Sequence, residues 1–302
     1  MTSTAFLFPG QGSQFVGMGQ ELYEQPAARA LFDAADAQLG FSLSSLCFNG
    51  PESELTDTVN QQPALFVVSL ATWAVMQAQG WEAPAYVAGH SLGELSALAM
   101  AGAMSFADGL ALVRRRGELM KEAGERQPGA MAAILALDAA QVEGICQEAS
   151  GKNGRFVQLA NDNCPGQVVI SGDATALAEA MALAEAAGAR KVVKLPITIA
   201  AHSPLMQSAA AAFAEAVDAT PLQAAHIPVI ANATGLPIQT PDEIRAELKA
   251  QLTSPVRWTD SVNYLTAQGV ETFVEVGAGD VLLGLVKRIA RKSNRVKFKL
   301  GE

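Results

Sequence analysis

Residues 87–94 read Val-Ala-Gly-His-Ser-Leu-Gly-Glu, an apolar run that ends in Gly-x-Ser-x-Gly and passes into helix formers at Glu94, Leu95 and Ala97 to Met100. A strand that turns sharply into a helix at Ser91 would lift the serine hydroxyl to the top of a sheet, as in a nucleophile elbow. The same glycines, Gly89 and Gly93, would also suit a strand that merely packs close to the following helix. The motif alone does not choose between the two; the rest of the chain must supply a base, an oxyanion hole and a substrate grip.

Outward from the elbow, the first 125 residues alternate short apolar strands with helices: "TAFLFPG", a helix near 27–39, a buried helix over 64–79, then "AYVAGHS". That alternation predicts a parallel sheet with helices on its faces. The elbow then falls at the carboxyl end of a strand, where such sheets place their sites. From Gly129 to Leu195 the rhythm becomes "GAMAAILAL", a helix over 139–148, "RFVQLAN", "GQVVISG", a helix over 174–187 and "KVVKLP". The order β-α-β-β-α-β predicts a ferredoxin-like unit inserted into the larger domain. The larger domain resumes near Pro196 with helices over 204–217, 241–251 and 259–267 and strands "IPVIAN" and "ETFVEVG". The expected fold is α/β: an α/β-hydrolase-like large domain, residues 1–127 and 197–302, with a parallel sheet, and an inserted ferredoxin-like small domain at 128–196.

Composition narrows the function. At 302 residues, 50% of them hydrophobic, the chain can bury a full core. The longest apolar run, 63–76, is too short to span a bilayer, and no leader pattern precedes the first strand, so no membrane association and a cytoplasmic location are expected. A net charge of −9 argues against nucleic acid as a partner. The scattered Cys47, Cys146 and Cys164 are expected to be free thiols; with only three histidines and no HExxH spacing, neither a metal nor another cofactor is expected. The stretch from 287 to 299 carries Lys287, Arg288, Arg291, Lys292, Arg295, Lys297 and Lys299 with no acid between them. It reads either as a solvated basic tail or as a surface for an acidic protein.

Three further segments bear on the chemistry. His202, in "ITIAAHSPLM", follows a strand and precedes a helix, a loop position suited to a base that reaches Ser91 from another element. His90 is next to Ser91 in sequence, but neighbouring side chains of a strand point to opposite faces, so it is expected beside the site rather than as the base. His226 is assigned to structure. In "FPGQGSQ" at 8–14 a strand ends in a Pro-Gly turn that leaves backbone N–H groups unobstructed, and the N–H groups of Gln11 and Leu92 are the expected oxyanion donors. Finally, a helix over 106–120 places Phe106, Leu110, Leu112, Val113, Gly117, Leu119 and Met120 on one arc, with Arg116 in its middle and Arg114 and Arg115 outside it. An arginine on an apolar face must meet an anion. Either a structural Asp or Glu or a free substrate carboxylate would satisfy it.

Taken together, "FPGQGSQ", "GHSLGE", "LVRRRGELM", "GAMAAI", "PGQVVISG", "AAHSPLM" and "SPVRW" resemble the malonyl-CoA:acyl carrier protein transacylase family, in the family's order from residue 5 to about 290. The resemblance implies Ser91 as the acylated nucleophile, His202 as base, Arg116 as ligand of the malonyl carboxylate, and Gln11 and Leu92 N–H as the oxyanion hole. It implies that Gln251, in "AQLTSPVRW", orients the histidine through its backbone carbonyl, so that its side chain matters less than its placement. Gln62 and Asn161 match pocket residues, with His90 beside them. The implied partners are malonyl-CoA and an acyl carrier protein in fatty acid or polyketide synthesis, acting on a monomer. The residues before the histidine, Ile199, Ala200 and Ala201, match neither the His-Ala-Phe-His nor the Tyr-Ala-Ser-His pattern of related polyketide acyltransferases. Ala201 leaves more room beside the substrate's α-carbon than Phe would. An acyl hydrolase acting on carrier proteins, or a carrier-docking module without catalysis, would carry some of the same motifs.

Overall fold

A computed structural model describes residues 3–151 and 154–301. Among the described residues ten strands form two sheets: β1 (Ser3–Phe8), β2 (Tyr86–Gly89), β3 (Ala130–Leu135), β4 (Val157–Cys164), β5 (Gln167–Gly172), β6 (Lys191–Lys194), β7 (Val229–Ile230), β8 (Pro237–Ile238), β9 (Val270–Glu275) and β10 (Asn294–Lys297). The large sheet runs β10-β9-β1-β2-β7-β8 and is parallel except for its last pair. Along β1 successive side chains take opposite faces. Phe6 and Phe8 enter a core with Phe32, Phe66 and Phe213, while Ala5 and Leu7 enter a second with Ala88, Trp258 and Phe273. Helices therefore cover both faces, as an α/β fold requires.

The second sheet, β4-β5-β3-β6, is antiparallel throughout. Its first strand in sequence lies between its third and fourth, with the second at the edge, which is the ferredoxin-like order. Two helices, Ala139–Ala149 and Ala174–Ala186, close a separate core of Ile134, Val142, Leu159, Ile170 and Leu177.

Several boundaries differ from the sequence reading for identifiable reasons. The buried helix begins at Thr58 rather than 64, capped by Asp57, and carries Pro63 inside it. Proline there removes the bond to the carbonyl four residues back. That carbonyl, of Val59, accepts instead from Arg114 Nη1 at 3.2 Å. The Arg116 helix runs on to Arg126, and the helix expected from 204 opens with a 3-10 turn, Pro204–Met206, before Gln207–Ala219. "IPVIAN" yields only Val229–Ile230, because the Ala231 N–H bonds Leu236 O in a turn. The basic stretch is no tail: it is split between the helix Val281–Ile289 and β10, an edge strand paired to β9. Among the described residues no helix is long and apolar enough to cross a membrane.

Candidate active site

β2 lies between β1 and β7 near the middle of the large sheet, and Ser91 caps the helix Leu92–Met100 that follows it. The turn is tight. A Cβ on Gly89 would lie 1.9 Å from the Gly93 carbonyl carbon, and one on Gly93 would lie 2.0 Å from Phe8 O. The two glycines thus do allow close strand–helix packing, and the packing is what produces the elbow. Ser91 sits at φ 52°, ψ −108°, a backbone conformation that costs about 1–3 kcal/mol and is retained where surrounding structure enforces it.

Asn232 supplies that enforcement. Its Oδ1 accepts from Ser91 N at 2.7 Å and its Nδ2 donates to Gly89 O at 2.7 Å, so one side chain grips the backbone on both sides of His90. On the opposite side, the Pro9–Gln11 turn presses on the elbow: a Cβ on Gly10 would lie 2.3 Å from His90 O. Neither Gln11 N–H nor Leu92 N–H makes a hydrogen bond to any described residue, which leaves both free to donate.

The imidazole beside Ser91 arrives from a distant part of the chain. His202 Nε2 lies 2.8 Å from Ser91 Oγ, and its Nδ1 lies 2.9 Å from Gln251 O and 3.0 Å from Ser254 O. Carbonyls only accept, so Nδ1 carries the hydrogen and Nε2 presents its lone pair to the serine hydroxyl. Among the described residues no carboxylate touches this imidazole; two main-chain carbonyls orient it. His202 itself has φ 57°, and its carbonyl accepts from Gln158 Nε2 at 2.6 Å, a side chain of β4 that also donates to Thr253 O at 3.1 Å. One strand of the small sheet therefore holds both the histidine loop and the loop that orients it. Burial, and then the Arg116 charge, push the imidazole down to about 3, so it is neutral across the physiological range.

Arg116 projects where the helical arc placed it and is 1% exposed. Nε donates to Gln251 Oε1 at 3.1 Å, Nη1 to Gln62 Oε1 at 2.8 Å and Nη2 to Ser91 Oγ at 3.1 Å. Arg114 and Arg115, by contrast, are exposed enough to pair with Glu118. Among the described residues no carboxylate oxygen comes within ion-pair distance of Arg116, so the structural-acid alternative fails. Burial lowers it only to about 10, partly offset by the Glu94 charge, so it stays cationic. The guanidinium is thus buried and held by neutral groups alone, with one N–H on the Ser91 hydroxyl, an arrangement chemically suited to receiving an anion.

Three expectations need correction. Gln62, expected to line the pocket, spends its amide on the protein: Oε1 on Arg116 and Nε2 on Thr58 Oγ1 at 3.0 Å. It holds the arginine. Gln251 orients His202 through its carbonyl as expected, but its side chain is also a hub, with Oε1 taking Arg116 and Nε2 donating to Ser91 O at 3.0 Å and to Glu94 Oε2. His90 turns away from Ser91, pairs with Asn163 Oδ1 at 2.8 Å and packs on Trp258 with ring centroids 5.5 Å apart. Asn161 is buried at the bridge between β4 and Val256, and its side chain makes no hydrogen bond to a described residue. Asn232, Glu94 and Gln158 went unread in the sequence. Asn232 had a signal, since it ends the strand fragment that neighbours β2, on the edge where such sheets place their sites.

The Acyl transferase domain family matches residues 5–299. A malonyl CoA-acyl carrier protein transacylase from Bacillus subtilis (strain 168) is 49% identical over 293 residues, 97% of this chain and 92% of that one. The chain belongs to the malonyl-CoA:acyl carrier protein transacylase family. The enzyme of that name from Escherichia coli (strain K12) is 46% identical over 96% of this chain and 93% of its own. Among solved structures, the transacylase of Coxiella burnetii superposes with a TM-score of 0.95 at 39% identity, covering 98% of this chain and 93% of that one. A malonyl-transacylase in complex with a holo type II polyketide synthase acyl carrier protein gives 0.95 at 40% identity, covering 98% and 96%.

Proposed function

We propose that this family member transfers a malonyl group from coenzyme A to the phosphopantetheine thiol of an acyl carrier protein, through malonyl-Ser91. The observation that carries the reading is the Arg116 guanidinium, buried, unpaired with any carboxylate of the described residues and 3.1 Å from the Ser91 hydroxyl. His202 Nε2 takes the Ser91 proton as Oγ attacks the thioester carbonyl. The resulting oxyanion meets the N–H groups of Gln11 and Leu92. Collapse breaks the carbon–sulfur bond, and the proton on Nε2 passes to the departing coenzyme A thiol. The carrier's thiol then gives its proton to Nε2 and attacks the ester, and Ser91 Oγ leaves with that proton. No cofactor enters any step.

Arg116 fixes the distal carboxylate so that the thioester carbon lies over Oγ. A hydrolase that clears acyl groups without a free carboxylate has no use for that fork, and a docking module without catalysis has no use for the Ser91–His202 contact. Methylmalonyl is less strictly refused than it would be with Phe at position 201, because Ala201 occupies less of the space before His202. The small domain, 128–196, is read as a folding unit inserted between 1–127 and 197–302; its own sheet and core support that division.

The acidic carrier protein expected here meets the basic face of the helix Val281–Ile289 and β10. There a groove of about 630 Å³ is lined by Pro165, Gly284, Lys287, Arg288, Arg291 and Arg295. The chain is read as a cytoplasmic monomer without a nucleic-acid partner, the last supported by its net charge of −9.

The test supplies malonyl-CoA and holo carrier protein together and follows malonyl-carrier against free malonate. Transfer predominates on this reading and slows as salt is added; dominant release of malonate would indicate the hydrolase instead. A second measurement concerns the base. An imidazole held near 3 is mostly unprotonated once the pH is well above that value, so the rate of Ser91 acylation persists well below the ordinary histidine value of 6.5. An acid limb centred on pH 6 to 7 counts against His202 in this environment.

A further inference from the structure

Two carboxyl groups are buried together under the site and play no part in the mechanism above. Glu94 is wholly buried on the first turn of the helix after Ser91, and Glu247 is 6% exposed on the helix Pro241–Gln251, one turn before Gln251. Each takes a backbone N–H of the same loop, Glu94 Oε1 from Asn232 at 2.9 Å and Glu247 Oε1 from Ala233 at 2.9 Å. Burial, and then the Glu247 charge, raise the Glu94 carboxyl well above the ordinary carboxylate range, and burial raises Glu247 as well.

We propose that Glu94 is a positioning residue for diacid selectivity: it sets the direction of the Gln251 amide, and through it the pose of Arg116. The argument is one of hydrogen-bond direction. Gln251 Nε2 donates to Glu94 Oε2 and to Ser91 O, which leaves Oε1 facing Arg116 Nε. Were that amide reversed, its NH₂ would face the Arg116 Nε–H and its oxygen would face Ser91 O, two repulsive contacts in place of two attractive ones. Glu94 bars the reversal because both of its oxygens accept, one from a backbone N–H that cannot turn around. Through Asn232 it also bears on the elbow, since Asn232 holds Ser91 N.

The inference rests on Arg116 as the carboxylate ligand, and the experiment separates the two. The readout is the ratio of kcat/KM for malonyl-CoA to that for acetyl-CoA, with thermal melting as a check on folding. In Glu94→Gln the carbonyl must serve Asn232 N–H, so the NH₂ opposes Gln251 Nε2, and the ratio falls by about tenfold or more. In Glu247→Gln the new Oε1 still takes Ala233 N–H, and Glu94 keeps Asn232 N–H and Gln251 Nε2, so the ratio holds within about twofold. Gln251→Met, which keeps the carbonyl that orients His202 but removes the relay, lowers the ratio as Glu94→Gln does, and it decides the matter should Glu94→Gln not fold. An unchanged ratio in a folded Glu94→Gln, equal losses for both substrates in Gln251→Met, or a collapsed ratio in Glu247→Gln overturns the proposal. With Arg116→Ala run alongside, a ratio that collapses there but not in Glu94→Gln removes only the relay; one that survives Arg116→Ala removes the carboxylate reading itself.

Discussion

Ser91→Ala takes no malonyl group from malonyl-CoA: the intact protein mass stays that of the bare chain, where the wild type gains one malonyl. Transfer to carrier protein falls by a factor on the order of 10⁴ or more, since a nucleophile and its base act as a unit and losing either removes nearly all of their joint effect. The fold should survive the change. Ser91 is held by its backbone N–H on Asn232 and by its carbonyl on Gln251, and neither bond uses the hydroxyl. The φ of 52° favours no β-carbon-bearing residue, and alanine keeps the strain already present. Stoichiometric labelling of the alanine variant would place the acyl group on another residue and remove the nucleophile assignment.

Arg116→Ala separates substrates rather than silencing the enzyme. Two charge-assisted hydrogen bonds to a carboxylate, at roughly 1.5–3 kcal/mol each, correspond to about 10²- to 10⁴-fold in kcat/KM for malonyl-CoA. Acetyl-CoA has no carboxylate to lose and suffers only from the vacated space and from Gln62 and Gln251 losing their partner. The expected result is a large fall in the malonyl rate with a much smaller fall for acetyl. Equal losses would mean that the guanidinium merely supports Ser91 Oγ, 3.1 Å away.

How much of this was legible beforehand depended on how locally each feature is encoded. The elbow was legible because its glycines and serine lie within five residues, although Phe8 and Asn232 close around it from elsewhere in the chain. The Arg116 direction was legible because 100° per residue is a property of any helix. The order of the inserted unit followed from strand and helix periodicities. Its sheet order then placed β4 at the edge, from which Gln158 reaches His202 O and Asn163 reaches His90. The helix start at Thr58 was not legible, because a proline at 63 reads as a break unless something takes the freed carbonyl, and Arg114 does so from 55 residues away. The side-chain role of Gln251 was missed for a related reason: an amide has two ends, and only its neighbours decide which way it points.

The sequence by itself determined the parts: a serine on a sharp turn, a histidine on a distant loop, an arginine on an apolar helical face, and a chain order that matches one family. These depend on short-range patterns of size, charge and periodicity. Only the tertiary structure decided that, among the described residues, no carboxylate pairs with the arginine and two backbone carbonyls rather than an acid orient the histidine, and that Glu94 and Glu247 share one buried space. Each of these is a statement about which polar groups, far apart in the chain, are left facing one another once water is gone. Burial makes every unpaired charge and every misdirected hydrogen bond costly, so the pairings are settled by the packed whole.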